Sequence, residues 1–189
     1  VHECKAAVLS MLEKELPPVI VEKASQVENP SITGVYVHAK NYDYLKYTLA
    51  KKIAQALIQV PCIKELYYAD IASGEYITGQ TYFGRDTDII IIADTQSCPW
   101  LKEYLKELEQ KINQITAQAL SRLEKAQWLK ELAETHGIIE FHLDDVYVKM
   151  LLDKKSQHRT SDLNVILLAA KTNNPRSSSK PARSSITSL

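Results

Sequence analysis

The sequence predicts an α/β (α+β) fold, a small mixed sheet packed with helices, and three observations carry that reading. Ile89-Ile90-Ile91-Ile92 puts four β-branched residues in a row, a run that cannot form one face of an amphipathic helix and reads as a strand buried on both sides. Apolar residues three and four apart over 3–15, 43–59 and 100–135 read as helices. At 189 residues and 45% hydrophobic, the chain is long enough for one substantial core, or one core with an appended element.

The charge balance limits the partners. Lys+Arg and Asp+Glu both count 23, so a nucleic acid must be held by a local patch and not by a bulk positive field. Cys4, Cys62 and Cys98 are scattered, odd in number and without CxxC spacing. That pattern argues against a disulfide framework or a zinc site and fits a reducing, cytoplasmic setting. No apolar run approaches the ~18 residues that span a bilayer, and no signal-peptide pattern opens the chain.

Taken in order, residues 3–15 form a short amphipathic helix that Pro17-Pro18 should stop. From Val19 to Lys40, apolar clusters interrupted by Asn29-Pro30 and Gly34 read as extended chain with one edge strand. Asn41 can cap a helix over 43–59, with Leu45, Leu49, Ile53 and Leu57 at helical spacing and Pro61 beyond its end. Lys40, Lys46, Lys51 and Lys52 on this helix read as a solvated face. A strand follows over 64–72.

Glycines at 74, 79 and 84 space the connection to the next strand. They suit either a phosphate cradle of exposed amides or a hairpin turning at Gly79 with Tyr76 and Tyr82 paired across it. The strand over 87–93 opens on Asp86-Thr87-Asp88, and residues two apart on a strand share a face. Two carboxylates that close repel unless a cation lies between them, and hard Mg²⁺ takes carboxylate oxygens.

Pro99 opens the longest regular pattern, Trp100 to Thr135, closed by Gly137. Unbroken, it makes one long helix of ~50 Å, whose apolar stripe predicts self-association as a homodimer through 100–135. The alternative is two helices folded back on the sheet with a break near 116–121. Over 138–148 the residues alternate as a third strand, with Ile139, Phe141 and Leu143 on one face and Glu140, His142 and Asp144 on the other. A last apolar segment, 163–171, is helix or strand. After Thr172 the chain turns Ser-rich and basic, a disordered tail able to touch nucleic acid weakly. The organisation is thus a helix and extended segment over 1–40, an α/β domain over 41–171 and the tail over 172–189.

The order of helix, strand, glycine-bearing connection, strand opening on Asp-Thr-Asp, long helix and strand bearing Asp144-Asp145 resembles the polymerase-beta-like nucleotidyltransferase superfamily, especially its minimal members. The resemblance covers about residues 43–170. It implies that Asp86, Asp88 and Asp144 are catalytic ligands of Mg²⁺ (or Mn²⁺), and that Ser73 and Gly74, in the place of the family's Gly-Ser, hold a nucleoside triphosphate with Arg85 as a phosphate partner. Ser73-Gly74 reverses the family's order. A second register, Thr87-Asp88-Ile89-Ile90-Ile91, would put Ile90 where the second acid belongs and mark a dead enzyme. The activity implied is transfer of a nucleotide to an acceptor, nucleic acid or protein. The alternative is an inactive module of the same shape that binds nucleic acid or a partner protein as a dimer. A metal-dependent nuclease would need a lysine two residues after a strand acid, which Asp144-Asp145-Val146-Tyr147 does not supply.

Overall fold

In the computed structural model, residues 1–28, 31–33, 36–71, 86–143, 153 and 163–172 are described. Helix α1 (His2–Ala24) leads to a short antiparallel ladder of β1 (Ser31–Thr33) and β2 (Tyr36–His38). Then come α2 (Tyr42–Leu57), β3 (Ile63–Ile71), β4 (Thr87–Ala93), α3 (Leu101–Leu120), a 3₁₀ turn at Glu124–Ala126, α4 (Gln127–Thr135), β5 (Ile139–Leu143) and β6 (Leu163–Ala170). The main sheet has the order β5-β4-β3-β6. β3 is antiparallel to both its neighbours, and β4 and β5 are parallel. The mixed sheet built on the three predicted strands is therefore present, and the last apolar segment joins it as a strand.

Helix α1 runs straight through Pro17 and Pro18. Each proline removes an amide donor, at a cost of up to about 3 kcal/mol in a helix interior. Packing overrides that local signal. Val8, Leu12, Leu16, Ile20 and Ala24 lie four apart and are all buried, so the turns beyond the prolines carry Ile20 and Ala24 into the core.

The pattern over 100–135 does not form one continuous helix. α3 ends at Leu120 and α4 starts at Gln127, close to the break that the second reading allowed. Leu101, Leu105, Leu108, Ile112, Leu129 and Leu132 are buried in the cluster that also holds α1, α2 and one face of the sheet. The stripe that suggested a dimer is thus spent inside the protein's own core. Ile89, Ile90 and Ile91 are fully buried, as a strand covered on both sides requires. Ile89 and Ile91 belong to the main cluster; Ile90, Ala69 and Val165 are buried apart from it.

The cysteines depart from expectation. Cys62, just before β3, and Cys98, just before α3, form a disulfide with Cα atoms 6.2 Å apart. A separation of 36 residues hides that proximity from any local reading. Cys4 is a free thiol. No helix among the described residues is long and apolar enough to cross a membrane.

Candidate metal site

The parallel ladder of β4 and β5 sets Asp88 opposite Glu140 and Ile90 opposite His142. With a side-chain period of two, these residues share the sheet face turned away from Ile89, Ile91 and the main cluster. His142 is nine-tenths buried. Its Nε2 lies 2.8 Å from Asp88 Oδ1 and 3.5 Å from Glu140 Oε1. One donor atom from each of Asp88, Glu140 and His142 falls within 4.8 Å of the others.

β5 is an edge strand, and α3 holds that edge. Asn113 Oδ1 accepts from the amides of Ile138 (2.8 Å) and Ile139 (3.1 Å), and its Nδ2 donates to the Ile139 carbonyl (3.3 Å). One turn earlier, Glu109 accepts from the Phe141 amide at 2.7 Å. The approach needs Gly137, which has φ +79° and where an added Cβ would stand 2.8 Å from Asn113 Nδ2. Helix and strand together fix the backbone from which Glu140 and His142 project.

The electrostatics favour a cation. Burial pushes the Asp88 carboxyl above its usual range, the His142 hydrogen bond opposes the rise, the Asp86 charge adds to it and Lys46 lowers it. Glu140 is pushed up to about 7 by partial burial and by its hydrogen bond to and repulsion from Asp86, with His142 again opposing. Glu109 is raised by burial against the pull of the Phe141 amide. The donor set of carboxylate oxygens and one imidazole suits a divalent ion. Neighbouring ligands around an octahedral ion with bonds of about 2.1 Å lie roughly 3 Å apart, in keeping with the 2.8 and 3.5 Å separations found here.

Of the residues singled out in the sequence, Asp88 lies in this group, and Asp86 lies beside it, hydrogen-bonded to Glu140. Asp144, Ser73, Gly74 and Arg85 lie outside the described residues. Among the described residues, the carboxylate that faces Asp88 across the ladder is Glu140. Alternation had placed Glu140 and His142 on one face, but not against β4. Lys46 was misread as solvated: it is 1% exposed, because it extends the buried row of Tyr42, Leu45, Leu49 and Ile53 on α2. Its Nζ is 3.4 Å from Asp43 and 5.0 Å from the Tyr42 ring centroid.

Comparison with known proteins finds no matching family model and no similar curated protein or solved structure. The chemistry has to be argued from the site. A groove of about 910 Å³ lined by Ser25, Glu28, Arg122 and Glu124 includes none of Asp86, Asp88, Glu140 and His142. A smaller one of about 270 Å³ adjoins the β5 edge, with Lys102, Lys106 and Glu109 above Phe141 and Leu143.

Proposed function

We propose that the chain is a divergent metal-dependent nucleotidyltransferase that moves a nucleotide from a nucleoside triphosphate to an acceptor, with Asp86, Asp88 and Glu140 as its acidic residues. The observation that carries the reading is the meeting of Asp88 with Glu140 and His142 across the β4–β5 ladder. The element order supports it too: α2, β3, β4 and β5 follow one another in the order the resemblance implies, with the α3–α4 pair standing where it implies one long helix. In this reading Glu140 takes the third-acid place on the strand beside the Asp-Thr-Asp strand.

A divalent ion held there supplies acidification of the attacking hydroxyl and neutralisation of the departing pyrophosphate. The protein's part is positioning. Asp88 is oriented by His142, Glu140 is aimed by the α3 clamp on β5, and Asp86 stands hydrogen-bonded beside Glu140. The reading keeps Mg²⁺ or Mn²⁺ as cofactor and the cytoplasm as compartment. The Cys62–Cys98 bond then needs a reason of its own, because such bonds are rare where thiols are kept reduced.

The test is pyrophosphate release from each of the four nucleoside triphosphates with Mg²⁺ or Mn²⁺, in the presence of pooled RNA, DNA and protein acceptors. Metal-dependent release that Asp88→Asn abolishes supports the proposal. Metal binding with no release under any combination moves the assignment to the inactive module.

A further inference from the structure

We propose that His142 is itself a ligand of the cation, and that the site therefore selects a first-row transition ion such as Mn²⁺ over Mg²⁺. This rests on the metal-binding part of the reading above and not on nucleotide transfer.

A histidine that served only to orient Asp88 would need contact with Asp88 alone. Here Nε2 lies between carboxylates carried by two different strands, 2.8 Å from Asp88 Oδ1 and 3.5 Å from Glu140 Oε1. That is the position from which a nitrogen shares an ion with both oxygens. The ring is 9% exposed and stands opposite the fully buried Ile90 in the ladder, so little water is at hand to replace it as a ligand. His142 and Glu140 lie two apart on one strand whose edge Asn113 and Glu109 hold, so nitrogen and oxygen are presented together.

The selectivity follows from ligand chemistry. Mg²⁺ binds oxygen, keeps several waters and gains little from imidazole. Manganese and the later first-row ions accept nitrogen alongside carboxylate oxygen, with affinities that rise along the series. A site of two carboxylates and one imidazole should therefore favour them. Thiolates, which would shift the choice to softer ions, are missing from the group.

Calorimetry on the full chain, stripped with chelator, compares Mn²⁺ with Mg²⁺ at one pH. Wild type is expected to bind Mn²⁺ roughly tenfold or more tightly than Mg²⁺; His142→Ala should remove that preference and leave Mg²⁺ affinity within about threefold, whereas loss of a merely orienting partner would weaken both ions about 10–100-fold and overturn the assignment. Pulsed electron paramagnetic resonance of the wild-type Mn²⁺ complex reads ligation without any variant: a nitrogen coupling is expected. Bound Mn²⁺ with no nitrogen coupling, or equal affinities for the two ions, overturns the assignment of His142 while leaving the proposed function standing. Failure of both ions to bind overturns the two together.

Discussion

At the scale of single residues, the site is made of acids kept partly against their own solvation. Burial and Asp86 both oppose the charge on Asp88, and the His142 hydrogen bond offsets only part of this. Asp88→Asn removes the charge but keeps the shape and an acceptor oxygen for His142. Without metal, its melting temperature is expected to equal or exceed that of wild type, while calorimetry should find Mn²⁺ binding weakened roughly tenfold or more. A variant that melts well below wild type in chelator would make the carboxylate structural instead. Glu140 gives a pH dependence. Its folded value of about 7 lies above its ordinary 4.5, so between those limits the folded protein holds a proton that the unfolded chain releases. The contribution to stability is then full below the ordinary value and is lost as pH rises through the folded one. Because the side chain stays half exposed, water screens the effect and the slope is shallow. Melts in chelator from acid to neutral pH should show a decline that Glu140→Gln flattens; parallel curves would count against it. Asp88 was legible from the sequence because period two needs no partner. What Glu140 and His142 face is set by the register of β5 on β4, and nothing within either strand states that register.

Among the elements, the helix α3 does two jobs, and only one could be read in advance. Its leucines announced a buried face, and Leu108 is 3% exposed; Leu108→Ala should cost about 2–5 kcal/mol in urea unfolding. Its polar clamp on the edge of β5 was invisible, since Glu109 and Asn113 look like ordinary surface residues until the strand lies beside them. Asn113→Ala leaves the Ile138 and Ile139 amides without their acceptor, at about 1–3 kcal/mol each if no water replaces it. Because Glu140 and His142 ride on that strand, the variant is expected to lose metal affinity as well as stability. Full Mn²⁺ affinity in a destabilised Asn113→Ala protein would uncouple the clamp from the site. α1 teaches the complementary lesson. Two consecutive prolines are a strong local stop, yet the buried row from Val8 to Ala24 carries the helix past them, and no local signal records how much core lies ahead.

On the scale of the whole molecule, the helices and one face of the sheet share a single apolar cluster, and the Cys62–Cys98 bond ties two distant parts of it. The bond joins the turn ahead of β3 to the turn ahead of α3 and closes a loop that contains β4 and so Asp88. With the cysteines 36 positions apart in sequence, the loss of chain entropy in the unfolded state corresponds to about 4 kcal/mol as an upper value. Both sulfurs are buried, and the Asp94 amide donates to the Cys62 carbonyl across the same turn, so packing and backbone bonds keep the two segments together when the sulfurs part. Reduction is therefore expected to lower the urea midpoint without unfolding the protein in buffer, and Cys98→Ser should reproduce the lowered midpoint with or without reductant. Metal affinity should survive in both, because Asp88 is held by its ladders with β3 and β5 and not by the sulfurs. Equal midpoints for oxidised and reduced wild type, with mass spectrometry showing that the bond had been present, would mean that the bond contributes nothing to stability. A loss of Mn²⁺ binding on reduction would instead make the disulfide part of the site's support.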